Sequence, residues 1–275
     1  MAGKSILITG CSSGIGLDAA RAMRARGWQV FASCRKAEDC DRLKAEGLAS
    51  PHLDVDDPAS IRQALAEVLA ATGGRLDALF NNAAFGLPGA LEDVSREALE
   101  AIFSTNLFGL HDLTREVIPV MRRQGSGRIV NCSSGLGLVG IKWRGPYVGT
   151  KFALEGMTDV LRLEMRGTGI EVSLIEPGPI TTEFRVNSAR QFERWIDWEA
   201  SARKDEYVGL RARIYNTTAR SPGELPASAV TRKLIHAVES RRPSPRYYVT
   251  LPTWFAGLTR RVLTTRAIDW LSRRV

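Results

Sequence analysis

Cysteine and histidine are scarce in this chain: 275 residues carry four of the first and three of the second. Cys11, Cys34, Cys40 and Cys132 show no CxxC spacing of the kind that holds zinc or works as a redox pair. His52, His111 and His236 are scattered, so no metal site is expected. The thiols fit reduced cysteines of a cytosolic protein. Cys11 stands in a glycine-rich turn, where it is either oxidation-sensitive or, the preferred reading, a small packed residue. No stretch reaches the ~18 apolar residues of a membrane span. Met1-Ala2-Gly3-Lys4 lacks the apolar region of a signal peptide. Internal repeats, low-complexity tracts and heptad runs are also missing. A cytoplasmic protein is therefore expected. Acidic residues are nearly absent from the last segment. Arg241 to Val275 holds eight arginines, no lysine and one acid, Asp269, a net of 8 − 1 = +7 against +8 for the whole chain. The body is then almost neutral, which argues against nucleic-acid binding.

What is present is an alternation of short apolar runs with helical stretches. Ser5-Ile6-Leu7-Ile8-Thr9, Trp28 to Cys34, Leu76 to Phe80, Arg128 to Cys132 and Ile170 to Ile175 read as strands. This rhythm predicts a single α/β domain with a doubly wound, mostly parallel sheet, spanning about residues 1–250, and a chain long enough for an ample core. The first strand runs into Gly10-Cys11-Ser12-Ser13-Gly14-Ile15-Gly16 and then into the helical stretch from Leu17 to Arg26. Strand, glycine-rich turn and helix are the context of a dinucleotide-binding loop in a Rossmann-type fold. Gly10 permits the tight turn, Gly14 lets the backbone approach a pyrophosphate, and Gly16 lets helix and strand pack closely. The phosphates would rest on the helix N-terminus, beside Ser12, Ser13 and Ile15.

Tyr147 and Lys151 are four residues apart in a helical pattern, with Ser134 thirteen residues before Tyr147. Positions i and i+4 share a helix face, so the ammonium can lie beside the phenol. A neighbouring positive charge lowers a tyrosine pKa from its ordinary value of about 10. The expected set is thus a tyrosine that gives or takes a proton and a serine that holds a carbonyl or alcohol oxygen. Asn106 lies inside one helical stretch predicted from about Ser95 to about Arg123, where an asparagine can disturb the backbone ladder and hold a water.

The Gly-x-x-x-Gly-x-Gly turn and the Ser134–Tyr147–Lys151 set together resemble the short-chain dehydrogenase/reductase family. So do Asn81-Asn82-Ala83-Ala84 after the fourth predicted strand, Asn106, and Pro177-Gly178-Pro179-Ile180-Thr181-Thr182 after the sixth. The resemblance covers roughly the first 180 residues. Cys11 to Leu17 and Lys151 to Gly156 look most like the hydroxysteroid and retinol dehydrogenase branch. Three departures stand out: Ala84 replaces a usual glycine, Thr150 a usual serine, and Gly149 weakens its helical turn. The resemblance implies reversible hydride transfer, with Asn106, Ser134, Tyr147 and Lys151 catalytic. It puts Asp54 and Val55 at the adenine, Asn81 and Ala83 along the nicotinamide side, and Pro177, Gly178, Ile180 and Thr182 around the cofactor with Tyr147 and Lys151. Lys151 would both depress the Tyr147 pKa and bond the nicotinamide ribose, and Asn106 would serve a proton relay to Lys151. The second strand ends at Arg35-Lys36 instead of at an acid. An acid there would bind both ribose hydroxyls of NAD, whereas a guanidinium forks onto a 2′-phosphate. NADP(H) is therefore favoured over NAD(H), with Arg35 and Ser12 near that phosphate.

Beyond Thr182 the rhythm stops. Glu183 to Tyr207 holds Phe184, Phe192, Trp195, Ile196 and Trp198 among charges, and Phe192, Trp195, Ile196 and Glu199 have helical spacing. About residues 183–225 read as a substrate lid, the competing reading being a surface helix packed on the body. Ile141 to Pro146 forms the other expected pocket wall. The predicted substrate is a small hydrophobic carbonyl or alcohol, steroid-, retinoid- or lipid-like. Residues 251–275 form a basic amphipathic helical extension, with Trp254, Phe255, Leu258, Val262, Leu263, Ile268, Trp270 and Leu271 among its arginines. It suits a peripheral membrane contact, and equally a partner subunit or a cap on the site. A homo-oligomer, dimer or tetramer, is expected. The alternative functions are an inactive nucleotide-binding sensor and a membrane-associated module.

Overall fold

The first strand, β1 (Ser5–Ile8), is almost wholly shielded from solvent. Such strands, apolar on both faces, belong in the middle of a parallel sheet covered by helices. The computed structural model describes residues 3–216 and 220–272 and places β1 so. Around it stand β2 (Gln29–Ala32), β3 (Ala78–Asn81), β4 (Gly127–Cys132), β5 (Ile170–Glu176) and β8 (Arg246–Tyr248). The order is β2-β1-β3-β4-β5-β8, and every pairing is parallel. A two-strand ribbon, β6 (Ile180–Thr181) with β7 (Leu225–Pro226), lies outside the main sheet. The stretch between β2 and β3 contributes only the isolated bridges Phe31↔Ala49 and Cys34↔His52. The strands counted fourth and sixth in the sequence are therefore β3 and β5.

Helices cover both faces. On one side α1 (Gly14–Ala25), α2 (Ala37–Ala45) and α9 (Ser228–Glu239) enclose a core with Ile6, Ile8, Met23, Phe80 and Leu234. On the other, α3 (Pro58–Ala71), α5 (Gly109–Gln124) and α6 (Gly145–Glu164) cover Leu7, Leu65, Leu79, Val117 and Ile129. The caps follow local chemistry. Asp57 accepts from Ala59 N at 2.8 Å ahead of Pro58 in the first turn of α3. Gly125, at φ 68°, ends α5 in the left-handed region.

The predicted helix from Ser95 to Arg123 is three pieces. α4 (Arg96–Phe103) and α5 are joined by a π-turn at Ser104–Phe108 that contains Asn106. After β6 come α7 (Phe184–Trp195) and α8 (Lys204–Tyr215). They make a third core with Leu87, Ile102, Trp143 and Tyr147, in which Phe192 and Tyr207 are fully buried. Burying each such large side chain contributes roughly 1.5–3 kcal/mol, so this segment is held down on the body. α7 stops at Trp195, and Ile196, its extended C-cap, turns Glu199 off the helical face expected for it.

The chain ends in α10 (Leu251–Val262) and α11 (Thr265–Ser272). α10 packs Thr253 and Gly257 inward against the turn after β4. Residues 217–219 of the expected lid and 273–275 of the extension lie outside the described residues. Among the described residues, no helix is long and apolar enough to cross a membrane.

Candidate active site

β1 and β3 are neighbours, and the sheet order reverses at β1 because β2 lies on its other side. Such a switch point opens a crevice at the carboxyl ends of the strands. The glycine turn leaves β1 there. Gly10 and Gly14 have φ of 71° and 56°, and a methyl on Gly16 would lie 2.3 Å from Gly10 O. Only glycine fits this turn. α1 begins after Ser13 with no side-chain cap, so its first amides are left for an anion. Asn82 braces the turn from β3, its Nδ2 donating to Thr9 O at 2.9 Å and Gly10 O at 3.2 Å. Ala83 lies against Gly10. Pro177 and Gly178 follow β5, Ile180 sits in β6, and Thr182 lies against the outer side of Gly14. An uncapped helix start, a glycine cradle and open strand ends fit a dinucleotide.

Asn81 ends β3 with its side chain turned into the body. It is 2 % exposed, and Nδ2 donates to Thr114 Oγ1 and Asn131 Oδ1, each at 2.9 Å. Its side chain ties β3 to α5 and β4, which leaves its backbone at the strand end for a cofactor. At the ribose end, Arg35 is exposed beyond β2 and, among the described residues, makes no hydrogen bond or ion pair. A second guanidinium lies close by: Arg42 Nη2 donates to Ser12 O at 2.7 Å. The only local signal for Arg42 is its place on α2, one turn from Asp39. Asp54 caps its own loop, accepting from Asp56 N at 3.1 Å, and Val55 is buried beside it.

The catalytic candidates converge. α6 carries Tyr147 and Lys151 on one buried face, and Ser134 caps the short turn Gly135–Gly137 after β4. Lys151, 2 % exposed, donates to Cys132 O at 2.8 Å, with Nζ 5.5 Å from the Tyr147 ring centre. Burial pushes the Tyr147 phenol well above its ordinary value. The Ser134 hydroxyl and the Arg144 guanidinium pull it the other way. This corrects the expectation of a depressed Tyr147 pKa: in this state desolvation wins, and Lys151 spends its charge on a carbonyl. Burial also lowers the Lys151 pKa, against the pull of Glu155. Asn106 accepts from Phe85 N and donates to Phe85 O, both at 2.9 Å, and donates to Thr150 Oγ1 at 3.2 Å. Thr150 in turn donates to Tyr147 O, so the residue beside Lys151 joins the π-turn to the catalytic helix.

Phe184, at the start of α7, meets the Tyr147 ring edge-on at 5.5 Å. Trp143 packs on Tyr207 at 4.9 Å. α7 therefore reaches Tyr147 through Phe184, and Trp143 joins the segment before Tyr147 to α8. Cys11 is fully buried, donates to Ile8 O at 3.2 Å, and has its thiol pushed well up by burial. It is a packed residue. Burial also pushes Cys132 up to about 11.

The comparisons agree with this geometry. A family model described as short chain dehydrogenase matches residues 4–193. The chain is 42% identical over 266 residues to "Uncharacterized oxidoreductase YbbO" of Escherichia coli strain K12, covering 97% of this chain and 93% of that protein. It is 33% identical to human "Retinol dehydrogenase 8", covering 88% and 80% of the two chains. A solved short chain dehydrogenase/reductase from Burkholderia phymatum, in complex with NAD, superposes with a TM-score of 0.79 at 25% identity, over 98% and 95% of the two chains.

Proposed function

The chain belongs to the short-chain dehydrogenase/reductase family, oxidoreductases of CH–OH groups that use a nicotinamide cofactor, and on that premise we propose that it is an NADP(H)-dependent carbonyl reductase or alcohol dehydrogenase for hydrophobic substrates. The observation that carries this reading is the convergence of part-buried Ser134 with buried Tyr147 and Lys151, where Phe184 packs on the Tyr147 ring. When bound, the nicotinamide supplies or takes the hydride. Ser134 and the Tyr147 hydroxyl hold the substrate oxygen. In reduction Tyr147 delivers its proton to that oxygen, and its burial keeps it protonated at neutral pH. Lys151 leaves Cys132 O for the ribose hydroxyls, and Asn106 keeps the π-turn open for a proton path. A sensor that had lost its chemistry has no use for these four side chains together.

Arg35, uncommitted, and Arg42, on the Ser12 carbonyl, support a 2′-phosphate at the ribose. The NAD-bound neighbour makes this the part to test. The apolar walls, with Phe184 on Tyr147, support a steroid-, retinoid- or lipid-like substrate. Exposed Met157, Val160 and Leu163 on α6 support a homo-oligomer, and the outward face of α10 a peripheral contact with anionic lipid.

Catalytic efficiency with NADPH and NADH should be measured on a panel of aldehydes and ketones, alongside Tyr147→Phe. We expect NADPH to be preferred, and the variant to lose at least ~10³-fold in kcat while still binding NADPH. A clear NADH preference removes the cofactor assignment; unchanged turnover in the variant removes the mechanism.

A further inference from the structure

Arg144 has a charge with no counterpart. It stands at the N-cap of α6, three residues before Tyr147. The backbone leading to it is strained and pinned. Trp143 has φ 70°, a left-handed conformation unusual for a bulky residue. Its carbonyl accepts from Gly89 N at 3.0 Å, and Arg144 itself bridges Gly89. Positions 144 and 147 share a helix face, and the part-buried guanidinium lies near enough to the Tyr147 phenol to act on it. Among the described residues it makes no hydrogen bond and no ion pair.

Neighbouring cations differ. Lys142 pairs with Glu206, and Arg203 with Glu92 and Glu206. Arg211 stacks on Trp198 at 4.2 Å. The charged groups that act on Arg144 are Arg185 from α7, Arg213 from α8 and the Tyr147 phenol. No carboxylate is among them, and burial is the largest influence, loosening its proton. A part-buried cation beside two further cations and a phenol, with no carboxylate set against it, is arranged to receive an anion from outside the chain.

We propose that Arg144 receives an oxyanion on the substrate, so that the enzyme's substrate class is a hydrophobic carbonyl or alcohol bearing a carboxylate-like head. This rests on the hydride-transfer reading above. The planar fork of a guanidinium matches a carboxylate with two parallel bonds, and Arg185 and Arg213 raise the potential there. Phe184 and Trp143 take the apolar part. The cofactor's own phosphates belong elsewhere, at the glycine turn and Arg35.

The test compares a medium-chain oxo-carboxylic acid with its methyl ester, under NADPH and under NADH. The wild type should prefer the acid by about tenfold or more in kcat/KM. Arg144→Met should remove that preference, raising KM for the acid about tenfold more than for the ester, and Arg144→Lys should restore part of it. NADPH binding should be unchanged in both variants. Decanoate should inhibit the wild type competitively and decanol should not, a reading independent of whether the variants fold. An ester preferred to the acid, equal losses on both in Arg144→Met, or weakened NADPH binding in that variant overturns the proposal. So does reduction of simple aldehydes but of neither probe. Failure to reduce any carbonyl sinks the hydride-transfer reading instead.

Discussion

Glu176 closes β5 with no solvent exposure, immediately before the Pro177-Gly178 turn. Arg246 binds it at 2.7 Å, reaches Asp159 at 2.6 Å and also holds Glu155. Three carboxylates thus share one guanidinium, and burial with the Glu155 charge pushes Glu176 up to about 8. Glu176 therefore retains its proton at neutral pH. The sign follows. The folded state favours the protonated form, so this contribution is complete below the unfolded value of 4.5 and is lost as pH rises through about 8. Glu176→Gln keeps an oxygen for Arg246 and removes the ionisation. Its melting temperature should change less between about pH 5 and 8 than the wild type's. An equal or steeper slope would put the titration on another group. Ser134, Tyr147 and Lys151 were legible because two of them are one helical turn apart and the third ends a strand. The Glu176 cluster was not, since Arg246 is 91 residues from Glu155 and 70 from Glu176. The unpaired guanidinium of Arg144 was hidden for the same reason: which charges face it depends on where α7 and α8 fold back.

At the scale of elements, the sheet, its glycine turn and the covering helices follow from apolar periodicity and turn chemistry. The π-turn at Ser104–Phe108 does not. Ser104, Thr105, Asn106 and Gly109 weaken the helix, and Asn106 marks where its ladder can open, but no local propensity specifies a π-turn. Asn106 opens the ladder by pairing with both backbone groups of Phe85, 21 residues away. The same holds for the stretch between β2 and β3, where loop geometry leaves only isolated bridges. Asp56 clamps the π-turn from outside, accepting from Ser104 Oγ at 2.8 Å and Thr105 Oγ1 at 2.6 Å. Asp56 also lies two residues from Asp54, at the expected adenine end. Asp56→Ala should therefore cost about 1–2 kcal/mol of stability, read by denaturant unfolding. It should also lower kcat several-fold, because Asn106 and Thr150 lose their register beside Tyr147. A stability loss with kcat unchanged would make Asp56 a structural clamp only.

At the scale of the whole molecule, α10 is laid on the body with its polarity reversed. Thr253 and Gly257 face inward, and Arg260 reaches Leu138 O at 2.9 Å while stacking on Phe152 at 4.4 Å. The apolar residues Leu251, Trp254, Phe255, Leu258 and Val262 point to solvent, 72, 53, 58, 44 and 68% exposed. Their spacing of 3, 1, 3 and 4 residues makes one stripe. Sequence periodicity revealed the stripe but not its direction, because an amphipathic helix ordinarily turns it to the core. Charge separates the two partners expected for it. Two copies meeting through this stripe would bring the exposed Arg261 and Arg266 of each toward the other, whereas the anionic bilayer proposed above would attract them and take Trp254 and Phe255 at its interface. The full chain should sediment with vesicles containing anionic lipid at low salt, leave them as salt is raised, and ignore neutral vesicles. Trp254→Ser with Phe255→Ser should abolish the binding with turnover of a soluble aldehyde unchanged. If the double substitution instead alters the sedimentation coefficient in solution and vesicle binding is never seen, the stripe is an interface between copies, and the basic charge of the tail must be neutralised by acidic groups of the facing protomer.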